Sequence, residues 1–377
     1  MTSATSTTCA ELTPKGRGAV AVIGIRGPAA IIALNDNFQP ANGRGYTSLK
    51  TRKIVYGIWN STGEDLVVYS RGKQHFEVHC HGGSMASTAI LASLQDSQIE
   101  VVTAQQFAIS FRSAWLVSTE LAIAQATTGK TADWLLSQLN RLPVAVAEVD
   151  QRLDRSEFET AAAQLESMLR WADFGIHLTQ PRSIVLCGNP NVGKSSLVNS
   201  IVGFQRAIVH HTAGTTRDVV SQSTAIDGWP VEIKDTAGLR TATNLVENLG
   251  IEKAKTEIEQ ADVKVCVFDA TQTWSPADQA LIDSVAPDII VSNKIDLAHD
   301  RAPSPNVSNH ILTSTETGTG IQSLIATIGQ RIAPELPSLD QAFPVTQNQI
   351  EKIKKVLDSA RDSYSEDRLG DLDILAV

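Results

Sequence analysis

The chain has 377 residues, 42% of them hydrophobic, and sets 41 acidic against 32 basic side chains for a net charge of −9. That length allows two or three domains, and no apolar run approaches the ~18 residues of a membrane span. The opening, Met1–Thr8, lacks the charged and apolar parts of a secretion signal. Cys9, Cys80, Cys187 and Cys266 are scattered, two of them in apolar strand patterns, so reduced thiols in a cytoplasmic protein are expected. A protein that grips nucleic acid should carry a basic stripe, and this acidic chain shows none.

Residues up to about 115 read as mixed strands and helices, with turn signals at Asn42-Gly43 and Thr62-Gly63. Thr13-Pro14-Lys15-Gly16-Arg17-Gly18 leads into the run Ala19–Pro28, which holds Arg26. Glu77–His81 reads as a strand that breaks at Gly82-Gly83 into a helical run, Met85–Leu94. On that strand His75, His79 and His81 share one face, because side chains alternate. With Cys80 they raise a metal centre, yet such a site needs three or four converging ligands. No second Cys/His cluster exists, so a strand end or a pocket wall is the expectation.

From Leu116 to Leu178 the pattern is helical, broken at Gly129 and at Pro143, where Pro143 opens one long stretch reaching Phe174. Residues 182–334 then alternate strand and helix, the signature of a parallel α/β sheet. Pro334, Pro337 and Pro344 mark a linker, and beyond it Ile350, Ile353, Leu357 and Ala360 form one helical stripe expected to pack on the earlier helices. The order fits an α/β domain inserted into a split helical domain, with bounds at 1–115, 116–180, 181–334 and 335–377.

Four motifs in the α/β segment belong to one guanine-nucleotide pocket. Gly188-Asn189-Pro190-Asn191-Val192-Gly193-Lys194-Ser195 fits the phosphate-loop pattern, between the apolar strand Ser183–Cys187 and the helix Ser196–Val202. Backbone N–H groups of such a loop close around phosphate oxygens at a helix N-terminus. Asn189, Asn191, Val192, Gly193, Lys194, Ser195 and Ser196 are the candidate phosphate ligands, with Lys194 reaching the β- and γ-phosphates and Ser195 holding Mg²⁺. In Gly214-Thr215-Thr216-Arg217-Asp218, Thr216 is assigned to Mg²⁺; Asp235, in Asp235-Thr236-Ala237-Gly238, supports the metal. Gly238 offers its N–H to the γ-phosphate. In Asn293-Lys294-Ile295-Asp296, Asp296 accepts two hydrogen bonds from guanine that adenine cannot make, and a site of buried polar pairs rejects the unmatched base. Ser314 is placed near the base O6 through its backbone N–H. Small GTPases carry a Gln after the Asp-x-x-Gly box to orient water; Leu239 stands there and can orient nothing. Glu247 is the candidate substitute, and from spacing alone it is equally the usual solvated helix-face Glu.

Thr215-Thr216-Arg217-Asp218, Asp235–Arg240 and Val246-Glu247 with Gly250-Ile251-Glu252 resemble the tRNA-modifying GTPase MnmE (TrmE) family, as do the Thr13–Pro28 and Glu77–Gly83 segments. The resemblance implies a multidomain α/β protein. Its parts would be an N-terminal α+β tetrahydrofolate-binding-like dimerisation domain, a split helical domain and an inserted Ras-like P-loop GTPase domain. It implies GTP/GDP binding and GTP hydrolysis without an arginine finger, by K⁺-dependent contact of two G domains in a homodimer. Glu247 then matches the family's catalytic Glu, and Asn191 and Thr215 match K⁺-associated positions. His210 and His211 replace a Thr and an Asp of the K⁺ loop, which implies weakened K⁺ dependence. Arg26 and Glu77 fall in the tetrahydrofolate-like pocket. The family modifies the wobble uridine of tRNA with a flavoprotein partner.

Two departures favour a second reading, a degenerate paralogue serving as a regulatory GTP switch or scaffold. The family's Phe-x-x-Arg-Ala-Phe-x-Asn-Gly-Lys stretch appears as Phe107–Leu116 without its Arg and Lys positions, and no cysteine follows Cys266. The overall domain order favours the enzyme.

Overall fold

The computed structural model describes residues 6–16, 18–43, 52–204, 221–235, 255–298 and 310–365. It divides into two compact units, Met1–Ser118 and Thr119–Val377.

In the first unit the alternating apolar runs form a seven-stranded sheet. Its strands are β1 (Thr8–Glu11), β2 (Val20–Arg26), β3 (Phe38–Pro40), β4 (Ile54–Trp59), β5 (Glu64–Gly72), β6 (His75–His81) and β7 (Glu100–Val101). The order is β3-β4-β5-β6-β2-β1-β7. All neighbours are antiparallel except β1 and β7. One face carries Ile23, Ile25, Val68, Phe76 and Val78 against α1 (Ala30–Asn37) and α2 (Ser84–Asp96), which contribute Leu34, Ile90 and Leu94. A buried polar chain fixes the helices to the sheet edge: Trp59 Nε1 donates to Ser93 Oγ at 2.8 Å, and Asn37 Nδ2 donates to Ser97 Oγ at 2.9 Å. On the opposite face, α3 (Ala104–Ile109) lays Phe107 against β2. A Cβ on Gly24 would stand 2.6 Å from the Phe107 ring, so only glycine admits the aromatic there. The last element, α4 (Ala114–Gln125), runs through the unit boundary.

The second unit opens with α5 (Gly129–Asp154), α6 (Phe158–Leu169) and α7 (Ala172–Ile176). The helix expected to begin at Pro143 does not: Pro143 lies inside α5, a single helix of 26 residues. An interior proline costs a helix about 3 kcal/mol. Here that cost is offset because α5 buries Leu135, Leu142, Val146 and Val149 along one side. The real break comes at Ser156, whose φ of 60° is left-handed. Glu157 N–H donates to the Arg152 carbonyl and Ser156 N–H to that of Leu153. This pair of bonds is a Schellman cap, normally signalled by glycine.

The six-stranded sheet follows: β8 (Arg182–Cys187), β9 (Ser221–Ile226), β10 (Trp229–Asp235), β11 (Val263–Asp269), β12 (Ile289–Asn293) and β13 (His310–Leu312). Its order is β13-β12-β11-β8-β10-β9. All pairs are parallel except the β9–β10 hairpin. Between strands run α8 (Lys194–Phe204), the short helix α9 (255–260), α10 (Pro276–Val285) and α11 (Ile321–Ile332). β8 is buried on both faces. Ile184 and Leu186 enter the larger core with α8 and α11; Val185 and Cys187 enter a smaller one with Val285 of α10. All four cysteines are buried and free of disulfides, and burial pushes the Cys9 thiol up to about 12.

After the sheet the chain returns to the helices as α12 (Gln347–Ser365), which packs along α6 and buries Ile350, Ile353, Leu357 and Ala360 as the stripe predicts. Its approach is pinned by Gln138 of α5, which is fully buried. Gln138 Oε1 accepts from Phe343 N–H at 3.1 Å, and Nε2 donates to the Gln341 carbonyl at 3.1 Å. Gly175 makes room for this segment, since a Cβ would sit 2.0 Å from the Pro344 oxygen. No helix among the described residues is long and apolar enough to cross a membrane.

Replacing Gln138 with Leu leaves two buried backbone groups unpaired, at about 1–3 kcal/mol each. Gln138→Leu should therefore lower the urea midpoint followed by tryptophan fluorescence, with a loss of about 2–6 kcal/mol by the same scale. An unchanged midpoint would mean that Gln138 does not hold the returning segment.

Candidate nucleotide site

The C-terminal ends of β8, β10, β11 and β12 meet at one edge of the second unit's sheet, the place where ligands bind in open α/β sheets. β8 delivers the chain into the phosphate loop, whose shape depends on glycine twice. Gly188 has φ 147°, and a Cβ there would lie 2.2 Å from the Val267 carbonyl. Gly193 has φ 95°, with Asn293 Nδ2 only 2.3 Å from where its Cβ would be. Asn191 holds a left-handed φ of 64° and is exposed at the outer turn. α8 starts at Lys194, aiming its first N–H groups back into the loop.

Lys194 is 4% exposed, and its Nζ donates to the carbonyls of Gly188 at 3.0 Å and Asn189 at 2.9 Å. Ser195 donates its hydroxyl to Asp235 Oδ2 at 2.6 Å, joining the start of α8 to the end of β10. The two metal-associated groups read from separate motifs are thus in contact. Asn189 Nδ2 donates to Asp278 at 3.4 Å; Ser196 is exposed on the first turn.

The base-reading loop is bound to the phosphate loop. Asn293 is fully buried and donates Nδ2 to the Val192 carbonyl at 3.1 Å; its Oδ1 accepts from Thr313 Oγ1 at 3.2 Å. Lys294, at φ 69°, donates Nζ to the Asn191 carbonyl at 2.6 Å. Asp296 sits on the 3-10 turn Ile295–Leu297, is exposed, and has no hydrogen-bond partner among the described residues.

Ser314 requires a correction. Its N–H donates to the Thr319 carbonyl at 3.0 Å, and its side chain is fully buried with Oγ accepting from Thr317 N–H. That amide is spent inside the loop. The next two, of Thr315 and Glu316, have no partner among the described residues and are the donors left for a base. Gly320 sets this turn, because its φ is 74° and a Cβ would meet the Leu312 carbonyl at 1.9 Å. Sequence reasoning missed Thr313, Thr315 and Glu316. The Gly318–Gly320 pair was the available signal.

Thr215, Thr216, Gly238, Leu239, Glu247, His210 and His211 lie outside the described residues.

In the first unit Arg26 and Glu77 share the sheet face opposite the helices, by a register that pairs Gly24 with Glu77 and Arg26 with His75. The Arg26 guanidinium lies 4.5 Å from the Phe111 ring centroid, and its Nη1 is buried without a hydrogen-bond partner among the described residues. Burial lowers its pKa. Glu77 is 8% exposed, bonds Arg71, and approaches His79 Nε2 at 3.4 Å. His75 packs on Phe107 and Phe111, and burial, then Arg26, pulls its pKa down. Among the described residues no group of three or more His, Cys, Asp or Glu is arranged to hold a metal ion.

Residues 183–294 match the family described as 50S ribosome-binding GTPase. About 85% of the chain is similar to proteins named tRNA modification GTPase MnmE. It is 31% identical to that of Chloroflexus aurantiacus over 371 residues, covering 85% of this chain and 80% of that protein. It is 30% identical to that of Desulforamulus reducens over 374 residues, covering 85% and 81%, and 29% identical to one from a Synechococcus strain over 364 residues, covering 84% and 78%. On these similarities the chain belongs to the MnmE family of tRNA modification GTPases.

Proposed function

We propose that this protein binds GTP at the edge of the six-stranded sheet and hydrolyses it to GDP and phosphate as the GTPase of a tRNA wobble-uridine modification carried out in the cytoplasm. The observation that carries the reading is the 2.6 Å contact of Ser195 with Asp235, beside a buried Lys194 and opposite an exposed Asp296 that has no hydrogen-bond partner among the described residues. Similarity along most of the chain favours the enzyme over a scaffold without chemistry.

A hydroxyl and a carboxylate in contact are hard oxygen donors and fit Mg²⁺. Ser195 and Thr216 would hold the ion, with Asp235 orienting the Ser195 side; when bound it neutralises charge shared by the β- and γ-phosphates. Lys194 stabilises the same oxygens, and Gly238 N–H receives the γ-phosphate. Glu247 orients a water for attack on the γ-phosphorus, and the bond to the β-phosphate oxygen breaks. Asp296 takes the N1–H and amine of guanine while Thr315 and Glu316 N–H groups face O6. K⁺ is assigned to Asn191, whose exposed amide oxygen suits it, and to Thr215; His210 and His211 weaken its effect.

In the first unit Arg26, with a buried guanidinium nitrogen lacking a partner among the described residues, and Glu77 fit a tetrahydrofolate derivative. When bound it supplies a one-carbon unit; Arg26 and Glu77 would hold it. The same sheet face exposes Ile54, Tyr56 and Ile58, at 71%, 55% and 43%, on alternate positions of β4. That apolar row supports homodimerisation through the first unit. tRNA and a flavoprotein are the further partners. Wobble-nucleoside mass spectrometry of a deletion strain tests the whole reading, and unchanged modification would overturn it.

Asp296→Asn should weaken GTP binding and admit xanthosine triphosphate, because the acceptor facing the guanine 2-amine becomes an N–H donor that suits the 2-oxygen of xanthine, while the amide oxygen still accepts from N1–H. Full GTP affinity in that variant would remove Asp296 from the base pocket.

Glu247→Ala should lower kcat by roughly 10²–10⁴, the scale of a positioned acid–base group, with nucleotide affinity nearly constant. Hydrolysis measured in KCl and NaCl should show weak K⁺ stimulation; equal wild-type and variant rates in both salts would defeat the role.

Ile54→Glu with Ile58→Glu should convert a dimer into a 40.5 kDa monomer by light scattering. A monomeric wild type at micromolar concentration would refute the dimer.

A further inference from the structure

We infer that Asp269 is a positioning residue for guanine-nucleotide binding and acts through Lys294. It rests on the guanine-nucleotide reading above and assigns a role that none of the four motifs contains.

Asp269 ends β11 in register with Asn293 at the end of β12, so its side chain emerges beside the base-reading loop. Its carboxylate is oriented before it meets any cation, because Oδ1 accepts from Thr271 N–H at 2.9 Å and from Thr271 Oγ1 at 2.7 Å. Oδ2 then accepts from Lys294 Nζ at 2.7 Å. The same ammonium donates to the Asn191 carbonyl at 2.6 Å. Lys294 thus bridges the base-reading loop, the end of β11 and the outer turn of the phosphate loop. The contact is well shielded, with 31% of the Lys294 and 14% of the Asp269 side chain exposed, so it escapes most of the screening that weakens surface pairs.

The bridge has two effects on the ligand. The ammonium is fixed with its stem running from the base side to the phosphate side, and Asn191 is kept in its left-handed turn. Its charge is also matched by Asp269, which leaves Lys194 as the cation directed at the phosphates. With a neutral residue at position 269, Lys294 is drawn toward phosphate or solvent and releases the Asn191 carbonyl. Binding then weakens without loss of any atom that touches the nucleotide.

The test is a double-mutant cycle on the full-length protein with fluorescently labelled GDP: wild type, Asp269→Asn, Lys294→Gln and the double variant. Asp269→Asn should raise Kd roughly tenfold, the scale of one charge-assisted hydrogen bond, and the loss in turnover should fall on KM rather than kcat. In the Lys294→Gln background the same substitution should change Kd less than about twofold, as expected for two residues acting as one unit. Thr271→Val, which removes only the orienting hydroxyl, should raise Kd about threefold and keeps the proposal testable if Asp269→Asn fails to fold. Wild-type affinity in both Asp269→Asn and Thr271→Val, or equal effects of Asp269→Asn with and without Lys294, would overturn the role of Asp269 while leaving the guanine site intact. A wild type that binds no guanine nucleotide would overturn both.

Discussion

The nucleotide site depends on the hydrogen bond from the buried Asn293 amide to the Val192 carbonyl, made across a glycine that leaves no room for a side chain. The loops proposed to recognise phosphate and base lie about a hundred residues apart in sequence, and this bond sets their separation. A buried amide left without its carbonyl costs about 1–3 kcal/mol, so the two loops are locked together in the folded protein before any ligand arrives. Preorganisation of this kind reduces the ordering that binding has to bring about. Thr313, which bonds the other end of the same amide, extends the lock to the loop after β13.

The sheet makes that lock possible. Parallel strands place successive loops at one edge, and β8, buried on both faces, holds the phosphate loop at the centre of the second unit. Alternate residues of β8 feed two separate cores, so neither layer of helices can shift without disturbing the strand that carries Gly188. The first unit follows a different logic. One face of its sheet is covered by α1 and α2, while the other bears buried polar atoms that lack partners among the described residues and a row of exposed apolar side chains.

Much of this was legible in the sequence because the relevant signals are local. A phosphate loop needs its glycines at fixed spacing, strands announce themselves by apolar runs, and the stripe of α12 follows from helical period. Three features were not legible. The end of α5 uses Ser156 in a left-handed cap where glycine is the usual signal, and Pro143 drew attention to a break that packing overrides. The loop at Ser314 spends that residue's N–H internally, which only the turn closed by Gly318 and Gly320 explains. Asp269 is a single carboxylate at a strand end, and nothing in its neighbourhood in sequence indicates the ammonium it meets 25 residues later. Contacts made by tertiary proximity leave no periodic trace.

The strand β10 has a mechanical consequence. It ends at Asp235, in contact with Ser195, and begins at Trp229, which packs edge-on against Phe174 and under the Lys130 ammonium. The hairpin tip before it is held by Thr128, bonded to the Gly228 carbonyl at 2.7 Å, and by Lys130, bonded to Asp227. Seven residues of extended chain span roughly 20 Å and resist compression along their axis. β10 is therefore a stiff link between the Ser195–Asp235 contact and the aromatic cluster at the head of α5.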